Sequence, residues 1–203
     1  MVSPSQPELP HLSPSELRAL VEVGDVVFIC STPLPFRKVA AATGCWSNHV
    51  GIVVQTDGPE PMVAESTFPF SRLTPLSQFV KRSARGRVAV RRPLQPLNPT
   101  QRAALLQAVQ RRLGVLYDTG FHLHSPRQFC SRFVREVLAE ATGVEVGDVE
   151  TFAQLLSSQP GTNLAFWRAW YFGRIPWNRP TVTPASQLRS PLLETRFDGR
   201  VVG

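Results

Sequence analysis

Sulfur and imidazole are scarce in this sequence. It holds 3 cysteines and 4 histidines among 203 residues, and no histidine follows Cys130. Three cysteines cannot build a disulfide framework, and their spacing at 30, 45 and 130 fits no zinc knuckle. A reducing compartment at the time of folding is therefore expected. No run of about 18 apolar residues occurs, so neither a membrane span nor stable membrane insertion is expected. The start, MVSPSQPELPHLSPSELRAL, lacks the basic residues and apolar run of a secretory leader. Acidic residues are the minority charge, 15 Asp+Glu against 22 Lys+Arg, for a net +7. A basic chain can bind nucleic acid, anionic lipid or an anionic polymer. No helix-turn-helix, zinc finger or aromatic RNA-binding signature is present, so nucleic acid is not an expected partner.

What is present suits a globular domain, with 42% apolar and 18% charged residues. The 19 prolines gather at residues 1–14, 93–99 and 176–191. They suggest a proline-rich arm and helix start over 1–19, a domain over 20–192 and a tail over 193–203. Ser13, Pro14 and Glu16 form a capping-box start to a short helix. GDVVFIC (24–30), HVGIVVQ (49–55), PMVAEST (61–67) and GRVAVRR (86–92) read as strands, with TDGPE as a turn. NPTQRAALLQAVQRRLG (98–114) reads as a helix, and a second begins near Cys130 and stops at Gly143. A further helix follows Asp148. The basic stretch KRSARGR (81–87) reads as a solvated strand edge with its hairpin loop. Six aromatics fall between Phe166 and Trp177, as core packing or as a surface for substrate or partner. Strands come early and helices late, the pattern of an α+β fold: a small, mainly antiparallel sheet packed against helices.

Cys130 admits two readings, a buried filler or a nucleophile. Free cysteine is among the most buried residue types. A helix N-terminus, however, favours a thiolate, and the apolar face of Phe133, Val134, Val137, Leu138 and Ala141 would hold that helix in place. Any base must lie upstream. His49 opens a buried strand after a polar turn, where a rigid side chain can face a cleft. Glu65 stands on the next strand and would be costly to bury without a partner. His11 lies in the arm. His122 and His124 could mimic a metal pair, but they have no Cys or carboxylate ligands at metal spacing, so neither metal nor cofactor is expected.

RRLGVLYDTGFHLHSPRQFCSRFV resembles the nucleophile segment of the NlpC-type papain-like peptidases. Because histidine comes before cysteine, the chain resembles more closely the circularly permuted branch of YiiX/YaeF/YebB-type amidases. GDVVF (24–28), SNHVGIVV (47–54), the Tyr117–Asp118–Phe121 segment, FCSRFV and TPASQLRSP (183–191) match that branch's motifs in order. The resemblance implies a permuted papain-like fold and amide hydrolysis by Cys130, with His49 as base and Glu65 orienting it. The Cys130 backbone N–H, with Tyr117 and Asp118 at the substrate and oxyanion position, would complete the site. It implies a peptide or amide substrate, most plausibly the stem peptides of peptidoglycan, an anionic wall suited to a basic protein. A leaderless chain made in a bacterial cytoplasm would then reach a target periplasm as a type VI-like antibacterial effector, with a delivery or immunity protein as partner. Two rivals stand beside this: a lipid acyl hydrolase or acyltransferase of the lecithin–retinol acyltransferase type, and a non-catalytic binding module on the same fold.

Overall fold

The computed structural model describes residues 9–159 and 162–203. Its frame is a seven-stranded sheet built from β1 (His11–Leu12), β2 (Val26–Ser31), β3 (His49–Gln55), β4 (Met62–Glu65), β5 (Arg72–Pro75), β6 (Ser83–Pro93) and β9 (Leu193–Val201). The order is β1-β9-β6-β2-β3-β4-β5, antiparallel throughout except for the β1–β9 pair. Alternate residues of each strand enter two separate cores, because side chains on a strand point to opposite faces. Val26, Phe28, Val50 and Ile52 pack under α4 (Pro99–Gln110) and α5 (Cys130–Thr142). Val27, Ile29, Val53, Val88 and Val90 pack under α1 (Pro14–Leu20) and α3 (Leu76–Lys81). Burial on both faces explains why VVFI and HVGIVV are nearly unbroken apolar runs.

Helix ends follow the local chemistry. Ser13 and Asn98 cap α1 and α4 through complete capping boxes, and Gly143 ends α5 in the left-handed conformation at φ 76°. The helix expected after Asp148 is α6 (Phe152–Ser157), preceded by β7 (Val149–Thr151). β7 pairs with β8 (Pro180–Val182) in a small second sheet. α2 (Leu34–Thr43), α7 (Leu164–Trp170) and α8 (Pro184–Leu188) complete the chain. α2, α6 and α7 share a cluster of their own around Ala42, Phe152, Leu156, Trp167 and Ile175.

Three sequence expectations are corrected here. Residues 193–201 are no tail: they form β9, paired with β6 over seven registered residue pairs and with β1. Likewise Leu17 of the supposed arm is buried in the core, so the domain is wider than 20–192. The stretch 81–87 is no sheet edge either, since β6 has β2 and β9 as neighbours. Two of its arginines are engaged: Arg82 pairs with Glu65, and Arg87 lies 4.2 Å over the Trp46 ring and pairs with Asp198, while Arg85 is exposed.

Candidate active site

The site starts from a clamp at the entry to β3. Asn48 accepts the Ser31 N–H at 2.6 Å and donates to the Ser31 carbonyl at 2.9 Å. That pair ties the end of β2 to the residue before His49 and fixes where the imidazole leaves the strand. β3 and β4 then run antiparallel, with Ile52 opposite Ala64 and Val53 opposite Val63. This register brings Glu65 beside His49, and Nε2 of His49 lies 2.6 Å from Oε2 of Glu65. Gly51 makes the approach possible, since a Cβ there would stand 2.5 Å from the Val63 side chain and 3.0 Å from the Phe79 ring.

Glu65 is fully buried. It also accepts from Thr74 Oγ1 at 2.6 Å and from Arg82 Nη2 at 2.8 Å to each oxygen. Burial alone would push its carboxyl up, but the His49 and Arg82 contacts outweigh that and bring it down to about 2. The His49 ring is held between Phe36, edge-on, and Phe79, each 5.6 Å away by ring centroids.

Cys130 is the first residue of α5, and its thiol faces the other side of the imidazole. With Nε2 given to Glu65, Nδ1 of His49 is buried without a conventional hydrogen-bond partner. Burial would lower the imidazole's proton affinity, yet the adjacent Cys130 thiol and the Glu65 carboxylate raise it to about 9. Phe129, the residue capping α5, supplies no side-chain hydrogen bond, so the first N–H groups of that helix are uncapped by any side chain. The turn is anchored from outside: Ser131 Oγ donates to the Val182 carbonyl at 2.8 Å, and Gln187 Nε2 donates to the Ser131 carbonyl at 2.8 Å.

Tyr117 completes the cluster. A parallel bridge to Gln128 holds its backbone, with the Asp118 N–H 2.6 Å from the Gln128 carbonyl and the Gln128 N–H 3.0 Å from that of Leu116. Its hydroxyl is buried without a conventional partner. Burial and the adjacent Cys130 thiol push its proton affinity well above the ordinary tyrosine value.

A thiol, an imidazole and a carboxylate in this order, beside a free hydroxyl and a helix N-terminus, are the parts of a papain-like site assembled with histidine before cysteine. The sequence model of the permuted papain-like amidases, the YaeF/YiiX, C92 family, matches residues 20–196. The chain belongs to that family. It is 30% identical over 174 residues to the YiiX protein of Escherichia coli K12, covering 86% of this chain and 85% of that one. A crystal structure of YiiX from Escherichia coli O157:H7 superposes with a TM-score of 0.78 at 29% identity, over 86% of this chain and 95% of that one. Family membership supports an enzyme of the cysteine-peptidase or amidase type on a permuted papain-like fold.

Of the residues singled out in the sequence, Cys130, His49, Glu65 and Tyr117 meet in this amidase fold. Asp118 lies beside Tyr117, but its two carboxylate oxygens accept the N–H groups of Gly120 and His122, each at 2.9 Å. It anchors the turn rather than facing the thiol. His11 sits in β1, paired with Arg200. His122 and His124 stand edge to face, 5.8 Å apart by ring centroids. The YiiX crystal structure is described as that of a metalloprotein. Among the described residues of this chain, no three His, Cys, Asp or Glu side chains gather closely enough to hold a metal ion. Glu65, the carboxylate nearest the thiol and imidazole, is already taken by His49, Thr74 and Arg82, so the residues present do not fit a bound metal.

Sequence reasoning did not find Arg82, Thr74 or Gln187. The only sequence signal for Arg82 was its place in the basic run, and for Gln187 the TPASQLRSP match. Nothing in the sequence marks Thr74.

Proposed function

We propose that this amidase-family protein cleaves an amide bond through a thioester on Cys130. The observation that carries the reading is His49, which meets Glu65 through one ring nitrogen and turns the other toward the Cys130 thiol. The Cys130 thiolate attacks the carbonyl carbon, and the oxyanion lies against the uncapped N-terminus of α5 and the Tyr117 hydroxyl. The tetrahedral intermediate collapses, the C–N bond breaks, and His49 gives its proton to the leaving amine. Water then attacks the thioester carbon while His49 takes its proton, releasing the acid and restoring Cys130. Glu65 keeps the imidazole in the useful tautomer and supports its charged form; Arg82 and Thr74 keep Glu65 in place.

Peptidoglycan stem peptides, with delivery as an antibacterial effector and an immunity protein as partner, are the finer reading. They rest on the net charge of +7 and on the family's amidase chemistry. Digestion of purified peptidoglycan followed by mass analysis tests this reading. New muropeptides that require Cys130 support it, and an unchanged profile beside a demonstrably reactive Cys130 removes it.

A further inference from the structure

The space that Cys130 opens onto is small and apolar. It is a slot of about 30 Å³, room for one water or one methyl group, walled by Phe36 and Val39 of α2, Phe152 and Leu155 of α6, and Trp167 of α7. Among the described residues no charged side chain lines it. Its walls are braced by contacts of their own. Phe36 packs edge-on against His49 and lies 6.2 Å from the Tyr117 ring by centroids. Phe152 and Trp167 are buried edge to face, 6.1 Å apart, in the cluster that α2, α6 and α7 share. The polar side chains along the slot are largely spent on the protein's own backbone. Asn48 holds both polar atoms of Ser31, Ser131 donates to Val182, and Thr183 accepts the Ser186 N–H.

The geometry of the reaction decides which part of a substrate meets this slot. A carbonyl carbon bonded to the Cys130 sulfur carries three other groups. The oxygen belongs with the Tyr117 hydroxyl and the N-terminus of α5, and the leaving nitrogen belongs with His49, which does not line the slot. The carbon on the acyl side is the group left to meet it. We propose that this protein selects amides whose acyl residue is glycyl or alanyl, the slot accepting a hydrogen or a methyl group on the carbon next to the scissile carbonyl. The proposal rests on the reading of Cys130 as nucleophile and names the substrate class of that site. The thiolate attacks the glycyl or alanyl carbonyl, the C–N bond breaks and His49 protonates the departing amine. Water, losing its proton to His49, then frees the acid. A methyl group gains by leaving water for an apolar wall. A branched or aromatic side chain would have to push Phe36 off His49 and Tyr117, or Phe152 off Trp167, and such overpacking is unfavourable. A charged side chain would lose its water with no partner to replace it. Within a stem peptide, this restricts cleavage to bonds whose carbonyl belongs to alanine or glycine.

The test offers the whole protein an equimolar mixture of the para-nitrophenyl esters of N-benzyloxycarbonyl-alanine and N-benzyloxycarbonyl-leucine, quenches it in acid within the first turnover and weighs the Cys130 peptide. The thiolate takes the acyl group and para-nitrophenol leaves, so the adduct ratio reads acylation alone. Measured against the ratio that free N-acetylcysteine gives, the alanyl adduct should exceed the leucyl adduct by about tenfold or more, given the cost of forcing extra carbons into a packed space. Leu155→Ala and Val39→Ala, which enlarge the slot from α6 and α2, should each pull that ratio down toward the free-thiol value. Being internal, the ratio is insensitive to loss of folded protein, and if one variant does not fold the other carries the comparison. A wild-type ratio no higher than that of N-acetylcysteine, or one that neither enlargement lowers, overturns the small-residue slot while leaving Cys130 as nucleophile. No adduct on Cys130 from either ester overturns the nucleophile reading and the slot together.

Discussion

The His49 imidazole and the Glu65 carboxylate meet at 2.6 Å with essentially no solvent on either group. A buried pair of this kind is tolerable only because Glu65 has three further hydrogen bonds, one from Thr74 and two from Arg82. Replacing Glu65 by Gln preserves the shape and removes the charge. Hydrolysis should then slow by roughly one to three powers of ten, less than for loss of the nucleophile, since Glu65 orients and does not attack. The alkaline limb of the pH–rate profile should also move to lower pH, because the carboxylate helps raise His49 to about 9. A limb that stays in place would show that the charge of Glu65 does not reach the base.

Stability should follow the same two groups. His49 binds its proton more tightly folded than unfolded, so its contribution is complete below about pH 6.5 and fades as pH rises through about 9. Glu65 runs the other way: its contribution is complete above about pH 4.5 and fades as pH falls through about 2. Urea midpoints measured from pH 6 to 10 should therefore decline for the wild type and decline less for His49→Asn. Parallel curves would separate His49 from the alkaline loss.

Tyr117 offers a cleaner separation of rate from stability. Its hydroxyl is buried without a conventional partner, so Tyr117→Phe removes a group that the folded state gains little from holding. Thermal stability should hold or rise slightly. The rate should fall by about ten- to a thousandfold if the hydroxyl serves the oxyanion. Equal rates would move that role to the α5 N–H groups alone.

Much of this site could be read before the fold was known. GDVVF, SNHVGI and FCSRFV carry local signals: apolar runs long enough for buried strands and a cysteine opening an amphipathic helix. Glu65 was accessible because a carboxylate in an apolar strand demands a partner. Arg82, Thr74 and Gln187 were not, since each looks locally like an ordinary polar residue, and its role appears only once the chain brings it against Glu65 or the first turn of α5. β9 was missed for a related reason. LETRFDGRV is charged and carries only two buried apolar residues, Leu193 and Phe197, with its buried Gly199. It becomes a strand only when β6 supplies its hydrogen bonds.

Arg82 yields a prediction of its own. It is the cation that meets both oxygens of Glu65, and its guanidinium lies 5.0 Å from the centre of the Phe79 ring. Arg82→Ala should cost about 1.5–3 kcal/mol of unfolding free energy, the usual range for a charged hydrogen bond left unmade. Arg82→Lys should recover only part of this, because an ammonium cannot reproduce the fork. Chemical denaturation of the two variants checks the order; full recovery with lysine would mean that charge alone suffices.

Thiol reactivity supplies another. Burial pushes the Cys30 thiol up, whereas Cys130 shares a buried contact with His49. Limiting iodoacetamide at pH 7 should label Cys130 ahead of Cys30 and Cys45, and His49→Ala should slow Cys130 alone. Uniform slowing, or none, would detach the thiol from the imidazole.

The most direct test of the central claim, that Cys130, His49 and Glu65 act as one unit, is a double-mutant cycle on hydrolysis of para-nitrophenyl acetate. Cys130→Ala should abolish turnover and His49→Ala should nearly do so. Adding Glu65→Gln to His49→Ala should cost little more, because the carboxylate acts only through the imidazole. If instead the two losses multiply in full, Glu65 works independently of His49, and the relay drawn from their 2.6 Å contact is wrong.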